Sequence, residues 1–462
     1  MALFTVRSSK ASDSEIAKKS KTKVKQPVTV KSSGLLATLT QIKARVEAVF
    51  APYINDYEII STKDRLKEYI KNSNNAGYIA IDTETTGLDP IQDKIVGLCL
   101  YATNEKAVYI PINHTSYISG ARVDNQLDET EVKECLDILT AKIIMFNANF
   151  DIRVIRNQVG SYLTCYWDCS LASRLLNENE PNRGLKALHQ KYILNDAEDE
   201  FNFGSLFKGV TADKVPISTF YLYAAHDAII TMELFEYQRK YLYYDSKSSF
   251  DARNAMNGVS WVFFNIEMPC VNVVCDMEDN GIELDMNYAH ELSVTYNERL
   301  SVKLEAFYTC LSKYTSQIES YLQTHKNAKL DNPVNIASPT QLATLFYDVL
   351  GIESVDRKFP RGTGEDILKK IAKVNENVAD LCNAILEYRE VAKLLNTYID
   401  KLPTCVNPKD GRIHCNFNQY GADTGRFSSS DPNLQNIPSH NKDIRKMFKA
   451  TDGYVLMSSD YS

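Results

Sequence analysis

Residues 78–90 read Tyr-Ile-Ala-Ile-Asp-Thr-Glu-Thr-Thr-Gly-Leu-Asp-Pro, an apolar run that ends in two carboxylates, Asp82 and Glu84. Residues i and i+2 of a strand point to the same face, so we predict that both carboxylates project together. Gly87 and the Asp89-Pro90 pair supply the turn that follows. Carboxylates this close need a proton or a cation between them, and such oxygen ligands suit Mg²⁺ or Mn²⁺. An isolated Asp-x-Glu is also typical of a solvated acidic turn, so partners elsewhere must decide.

The composition is that of a globular protein with two or three domains. A chain of 462 residues is long for one core, and 44% hydrophobic with 24% charged residues is an ordinary balance. No uncharged run approaches the roughly 18 residues that a membrane span needs, so we expect no membrane partner. The ten cysteines include no Cys-x-x-Cys pair, and we expect reduced thiols in a cytoplasmic protein. The formal net charge of −7 does not favour nucleic-acid binding, but the local charge matters more.

Residues 1–55 form a separate N-terminal extension that begins with a basic stretch. Residues 7–31 contain eight Lys or Arg against two acidic residues, and no apolar core of the secretory kind. We predict a largely disordered extension with affinity for phosphate backbones; a transit peptide is the alternative. Residues 35–50 have the pattern of a short amphipathic helix.

Residues 56–245 alternate in the manner of an α/β domain. A third carboxylate, Asp151, follows the apolar run 142–146, which is typical of a strand covered on both faces. A helix predicted over 217–241 carries Tyr223 and Asp227 one turn apart, on one face. The other predicted strands are 77–82, 95–101 and 107–112, and the other predicted helices are 62–72, 128–140, 168–176 and 185–192.

Three fragments in this region resemble, in order and spacing, the motifs of the proofreading 3′–5′ exonucleases. They are Asp82-Thr-Glu84, Asn147-Ala-Asn-Phe-Asp151 and Tyr223-Ala-Ala-His-Asp227. Each fragment alone is a weak signal, but three in the correct order on the expected elements are specific. The resemblance implies an RNase H-like domain, a structural role for Asp168 and a short packing helix around 184–188.

The resemblance also implies a chemistry. Two divalent ions, Mg²⁺ or Mn²⁺, would lie roughly 4 Å apart and stabilise the attacking hydroxide and the leaving 3′ oxygen. Asp82 would bridge both ions, Glu84 and Asp227 would bind one, and Asp151 would reach the second through water. The Tyr223 hydroxyl would orient the attacking water; the alternative is a core aromatic whose hydroxyl is satisfied elsewhere. The implied substrate is a single-stranded 3′ end of DNA.

The second half of the chain has a different pattern. Residues 246–262 turn from polar to apolar, and we predict a linker there. Residues 263–462 resemble the front of the polymerase domain of the family A DNA polymerases, the DNA polymerase I type, with a mainly helical thumb that grips duplex DNA. Residues 288–321 have the pattern of one long amphipathic helix. Other stretches that carry the resemblance are 273–285, 335–346 and 385–398.

The most specific stretch is residues 424–438, Thr-Gly-Arg-Phe-Ser-Ser-Ser-Asp-Pro-Asn-Leu-Gln-Asn-Ile-Pro. Its small hydroxyls, amides and arginine suit hydrogen bonds to phosphates and sugars. Residues 408–450 hold seven Lys or Arg against four Asp, a local excess that reverses the sign of the whole chain. The alternative is that these charges belong to a solvated loop. By the resemblance, the residues that contact the primer and template backbone are Thr424, Arg426, Ser428, Asn433, Gln435, Asn436 and Arg445.

Residues 453–462 read Gly-Tyr-Val-Leu-Met-Ser-Ser-Asp-Tyr-Ser and predict an apolar strand that ends on Asp460. In the resembling family this Asp is catalytic and holds the two Mg²⁺ ions of nucleotidyl transfer, and a second catalytic Asp comes later. We therefore expect an incomplete α+β palm and no polymerase activity from these residues alone. Deoxynucleotides would bind only with the missing C-terminal half, supplied by RNA splicing or by a second polypeptide.

The expected function is DNA replication by a family A DNA polymerase whose N-terminal part carries the proofreading exonuclease. The basic extension, with no 5′-nuclease domain before the exonuclease, resembles phage-encoded members. Two other hypotheses stay open: a stand-alone 3′–5′ exonuclease with a DNA-binding C-terminal region, and an inactive remnant that binds DNA. The intact acidic motifs favour an enzyme over the remnant. The implied DNA partners are single-stranded 3′ ends and primer–template duplex.

Overall fold

A computed structural model describes residues 35–181, 183–195, 202–242, 255–422, 424–439 and 441–460. The whole of the predicted basic stretch, residues 7–31, lies outside these ranges, as do Tyr461 and Ser462. The amphipathic helix predicted after it is confirmed, since Leu35–Phe50 is helical. The described part contains a six-stranded sheet with helices, then a mainly helical region with two small sheets.

A mixed sheet forms the centre of the first region. Its strands are β1 Tyr57–Ile59, β2 Tyr78–Thr85, β3 Ile95–Tyr101, β4 Ala107–Pro111, β5 Lys142–Met145 and β6 Cys165–Asp168. Their order is β1-β4-β3-β2-β5-β6. β2 pairs antiparallel with β3 on one side and parallel with β5 on the other. It therefore lies inside the sheet, which is why the run before its carboxylates is apolar.

Helices pack around this sheet, and α8 is the longest of them. The helices are α1 Leu35–Phe50, α2 Lys63–Ala76, α3 Glu129–Leu136, α4 Ala148–Val154, α5 Cys169–Leu176, α6 Leu185–Tyr192, α7 Phe203–Phe207 and α8 Ile217–Gln238. α8 packs across β2, β3 and β4, and α1 packs on α8. The Trp167 indole N–H of β6 donates to Gln238 Oε1 at the end of α8, at 3.0 Å. One core thus joins sheet and helices.

The predicted strand 95–101 and helix 185–192 have the observed bounds. The prediction that a helix begins at Asp168 is wrong by one residue, since Asp168 ends β6 and caps α5. The sequence pattern missed β1, β6 and α4, which are three, four and seven residues long. Segments this short show no clear period in their apolar residues.

Residues 255–280 form one helical stretch that contains α9 Ala255–Val262, a wider turn over Phe263–Glu267 and α10 Met268–Asn280. Pro269 has no N–H to donate, so the hydrogen-bond spacing changes just before it. The predicted linker over 246–262 is therefore helical from residue 255, and residues 246–254 lie outside the described ranges. Phe263 packs on Trp167 with ring centroids 4.6 Å apart, so this helix belongs to the first core.

By length and composition alone, Gly258–Asn280 would suffice to cross a membrane, the one such helix among the described residues. A buried helix of a globular core passes the same test. Phe263, Met268, Val271 and Cys275 are buried in the first core. One face of this stretch therefore packs into that core.

The next region is helical and has its own core around Phe307, Phe346 and Ile385. Its helices are α11 Met286–Ser312, α12 Thr315–Thr324, α13 Pro339–Ala343, α14 Glu365–Val374 and α15 Ala379–Leu394. The prediction of one helix over 288–321 is wrong, because α11 ends at Ser312. Tyr314 leaves the helical conformation with φ −116, and its hydroxyl donates to the Asn377 carbonyl at 2.5 Å.

Short strands complete the described part. β7 Ile282–Leu284 lies between β8 Arg412–Ile413 and β11 Phe448–Lys449, while β9 Asn416–Asn418 and β10 Ser428–Ser430 form a hairpin, and α16 is Lys442–Arg445. The predicted strand at 455–459 is wrong, because these residues have no regular structure and Val455 and Met457 are 87% and 89% exposed. No described strand offers them backbone partners, and an unpaired strand is not stable in water.

Candidate active site

Asp82 and Glu84 lie on one face of β2, as predicted from their spacing. Their ligand atoms and the Cys99 Sγ of β3 all lie within 4.8 Å of one another. Thr83, between the two carboxylates, faces Asp151: its N–H and its hydroxyl both donate to Asp151 Oδ1, at 3.0 and 2.6 Å. The third carboxylate is thus bound to the strand segment that carries the first two.

Asp151 lies in the first turn of α4, and the buried carboxylate of Asp168 fixes the start of that helix. Asn147, just before α4, adopts a left-handed conformation with φ 63, which asparagine tolerates well. The N–H groups of Asn147 and Ala148 donate to Asp168 at 3.1 and 2.8 Å. The same carboxylate accepts from the Ser170 N–H at 2.7 Å and so caps α5. Asp168 therefore caps the N-termini of both α4 and α5.

Tyr223 and Asp227 come from α8, one turn apart. The Tyr223 side chain is buried, and its ring packs edge-on against Phe203 and Phe207, with centroids 5.9 and 5.3 Å away. Asp227 Oδ1 is buried and has no hydrogen-bond partner among the described residues. An unsatisfied buried carboxylate oxygen is one that a bound cation would satisfy.

Lys186 of α6 is the site residue that sequence reasoning missed. Its Nζ donates to the Tyr223 hydroxyl at 2.7 Å and to Asp227 Oδ2 at 3.0 Å. It also lies 4.1 Å from the centroid of the Tyr223 ring. Lys186 thus orients both side chains and leaves Asp227 Oδ1 for another partner. No local pattern could reveal this contact, because it joins residues far apart in the chain.

The four carboxyl groups resist ionisation. Burial, then repulsion from Asp151 and Glu84, raises the pKa of Asp82 well above its usual value. Burial, then Asp227, raises the pKa of Glu84 to about 8. Burial raises the pKa of Asp151 to about 7, although the Thr83 hydrogen bonds oppose it. Burial also raises the pKa of Asp227, against the opposing charge of Lys186.

This donor set fits a divalent cation. All four acidic side chains offer hard oxygen ligands, their mutual repulsion would be relieved by positive charge, and Asp227 Oδ1 lacks another partner. Lys186 supplies a single positive charge at the edge of the cluster. The arrangement can therefore hold metal between β2, α4 and α8.

A cavity of about 400 Å³ separates the helix that carries Asp151 from the β9–β10 hairpin. Asn149 and Phe150 line it on one side and residues 416–420 on the other, with Arg174 and Arg183 also at its wall. An aromatic ring, amides and guanidinium groups suit a nucleic-acid strand.

The predicted DNA-contact residues lie in this hairpin and after it: Thr424 and Arg426 in the loop before β10, Ser428 in β10, and the others after β10. Ser428 is half-buried, and the others are exposed: Thr424, Arg426, Asn433, Gln435, Asn436 and Arg445. Asn433 has a local role that the sequence did not reveal, since its Oδ1 accepts from the N–H groups of Gln435 and Asn436 at 3.1 and 3.2 Å. Asp460 lies in the exposed segment near the C-terminus, on no strand.

Two family models match the chain. The 3′–5′ exonuclease model matches residues 57–242, and the DNA polymerase family A model matches residues 304–462. The chain belongs to DNA polymerase family A. The exonuclease match includes Asp82, Glu84, Asp151 and Asp227, so the fold class with an RNase H-like domain is confirmed.

Bacterial relatives span most of this family A chain. DNA polymerase I of Chloroflexus aurantiacus is 30% identical over 425 residues, which cover 87% of this chain and 40% of that protein. DNA polymerase I of Pseudomonas aeruginosa is 31% identical over 421 residues, with 88% and 42% covered. The chain thus spans about two fifths of the length of these relatives. None of these matches shows the phage origin that we expected.

One solved structure has the same fold. It is the POL domain of Pol1 from M. smegmatis in complex with DNA primer-template and dNTP, with a TM-score of 0.62 and 19% identity. The match covers 85% of this chain and 58% of that one. At this identity the likeness supports the fold of the family A chain and no residue role.

The raised pKa of Glu84 predicts that, in the absence of metal, the free energy of unfolding depends on pH. Below the usual glutamate pKa of 4.5, Glu84 is neutral in both states. Between 4.5 and its folded-state pKa of about 8, only the unfolded state ionises, so the folded state loses stability as pH rises through this range, and the loss is constant above it. In EDTA, Glu84→Gln should therefore melt like wild type below about pH 4.5, gain an advantage over wild type as pH rises, and hold the full advantage above about pH 8. Thermal unfolding across this range is the measurement.

Saturating Mg²⁺ is the control for that experiment. Metal should stabilise the wild type more than Glu84→Gln and so remove the advantage of the variant, because a bound cation relieves the same repulsion. A melting difference independent of pH and metal would contradict the assignment of Glu84 to the site.

Proposed function

We propose that this chain degrades DNA from a single-stranded 3′ end, as the proofreading 3′–5′ exonuclease of a cytoplasmic family A DNA polymerase that acts in replication. The observation that carries the proposal is the convergence of Asp82, Glu84, Asp151 and Asp227, from three separate elements, beside the Tyr223 hydroxyl. Neither an acidic turn nor a DNA-binding remnant needs carboxylates that repel one another in this way.

The four carboxylates would hold two divalent ions, Mg²⁺ or Mn²⁺. When bound, the ions supply charge that stabilises the attacking and leaving oxygens of phosphodiester cleavage. Lys186 has only donors, so the Tyr223 hydroxyl accepts from it and keeps its own proton to donate. That proton is available to orient the attacking water or a phosphate oxygen, and burial keeps the hydroxyl neutral by raising its pKa.

The remaining residues would bind primer–template DNA. Thr424 and Arg426 are exposed in the loop of the β9–β10 hairpin and Arg445 is exposed after it, and the cavity lined by Asn149 and Phe150 suits an unpaired strand. The structural relative from M. smegmatis was solved with primer-template and dNTP, which supports a duplex-binding role for this region. Deoxynucleotides would need the second polymerase carboxylate, which these residues do not include.

Removal of a site carboxylate should abolish exonuclease activity while the fold survives. Asp82→Ala and Asp151→Ala each remove an ion ligand and relieve repulsion, so we expect cleavage to fall by orders of magnitude. Unfolding should be little changed for Asp82→Ala and moderately easier for Asp151→Ala, which also leaves the Thr83 N–H and hydroxyl without their acceptor. Digestion of a 3′-labelled single-stranded oligonucleotide with Mg²⁺ measures this, and Asp93→Ala in the turn after β2 is the control. Wild-type rates for Asp82→Ala or Asp151→Ala would refute the site.

The Lys186–Tyr223 contact should matter for rate more than for fold. Tyr223→Phe and Lys186→Met each break the 2.7 Å hydrogen bond, and we expect cleavage to slow roughly ten- to a thousandfold. Tyr223→Phe should leave metal affinity unchanged, whereas Lys186→Met also releases Asp227 and should change it. Calorimetric titration with Mn²⁺ separates the two effects, and an unchanged Tyr223→Phe rate would show that the ring only packs.

We also propose that residues 1–462 alone do not extend primers. Nucleotidyl transfer needs carboxylates from two separate strands, and Asp460, the first of them, lies in an exposed segment on no strand. Primer extension with the Asp82→Ala variant, in which degradation is silenced, should show no templated incorporation. Incorporation above a no-template control would overturn this proposal.

A further inference from the structure

A buried set of ion pairs joins α10 to the exonuclease helix α4. Arg153 donates through Nη1 to Glu278 Oε2 at 2.5 Å and through Nε to Asp279 Oδ1 at 2.7 Å. The side chains of Arg153 and Glu278 are only 3% and 2% exposed. Arg153 follows the site carboxylate Asp151 by two residues, in the same helix.

Glu278 has a second partner on the opposite side. Its Oε1 accepts from the Phe417 N–H of β9 at 2.5 Å, and its backbone carbonyl contacts His414 Nδ1 at 2.7 Å. One carboxylate therefore touches the helix of the exonuclease site and the first strand of the hairpin.

The energetics of this contact indicate a role other than stabilising the fold. Removing two charges from water is energetically unfavourable, so a buried ion pair is weak evidence of net stabilisation. Such pairs are best attested where they fix one arrangement of elements against others. Here the elements are α4, which presents Asp151, and the β9–β10 hairpin across the cavity.

We propose that Glu278 is a positioning residue that sets the hairpin at a fixed distance from the exonuclease site, so that a 3′ end can span both. Each carboxylate oxygen serves one side, Oε2 the Arg153 guanidinium and Oε1 the Phe417 N–H. This inference rests on the proposed exonuclease function and adds to it a residue that touches neither metal nor DNA.

Glu278→Gln tests this contact with minimal change in the shape of the side chain. Glutamine has one acceptor oxygen, so it must lose either Arg153 or the Phe417 N–H. Arg153 keeps Asp279 as a charged partner, so we expect the variant to fold. The matched control is Asp276→Asn, which breaks the more exposed Arg156–Asp276 pair on the same helix, with Asp276 63% exposed.

Two substrates separate chemistry from positioning in the full chain. The p-nitrophenyl ester of thymidine 5′-monophosphate reaches only the metal site, whereas a mismatched primer–template must also contact the hairpin. We expect Glu278→Gln to hydrolyse the ester within about twofold of wild type and the mismatched end about ten- to a hundredfold more slowly. Asp276→Asn should change neither rate.

Hydrogen exchange supplies an independent readout. Amides of residues 414–430 should exchange faster in Glu278→Gln, and those of 148–154 should not. Equal loss on both substrates, or unchanged rates with unchanged exchange in 414–430, would overturn the inference. If the wild type hydrolyses neither substrate, the proposed function is wrong, and exchange in 414–430 alone then decides whether Glu278 fixes the hairpin.

Discussion

Carboxylates can crowd together in a partly buried site only where other groups compensate their charge. In this chain Thr83 donates two hydrogen bonds to Asp151, and Lys186 holds one oxygen of Asp227. Asp82 and Glu84 repel their neighbours and have raised pKa values, with burial the first cause. The site therefore favours a bound cation. The repulsion between carboxylates destabilises the metal-free fold, and its relief by a cation contributes to metal affinity.

The scaffold brings these groups together by placing them at the ends and edges of rigid elements. β2 pairs with β5 over residues 78–80 and with β3 at Asp82 and Glu84, so the backbone of both carboxylates is held by the sheet. Asp168 caps two helices at once and thereby fixes the turn before Asp151. Sites built on such elements hold their geometry better than sites on loops.

The exonuclease region and the helical region that follows residue 254 are not independent modules in this structure. Phe263 packs on Trp167 in the first core, although the sequence pattern places a domain boundary just before it. Arg153 and Glu278 then join the two regions through charges that are almost fully buried. Neither contact produces a local pattern, because each joins residues about a hundred positions apart or more in the chain.

The sequence by itself determined the carboxylate motifs and their order, and it placed two pairs of site residues on the correct strand and helix, because the periods of strand and helix decide which side chains share a face. Asp82 with Glu84 and Tyr223 with Asp227 are these pairs. The sequence did not reveal α4, which carries Asp151. Only the tertiary structure decided that Lys186 completes the site, that Asp168 caps two helices and that residues 455–459 form no strand. These outcomes depend on partners distant in sequence, and short-range periodicity carries no information about which distant groups will meet.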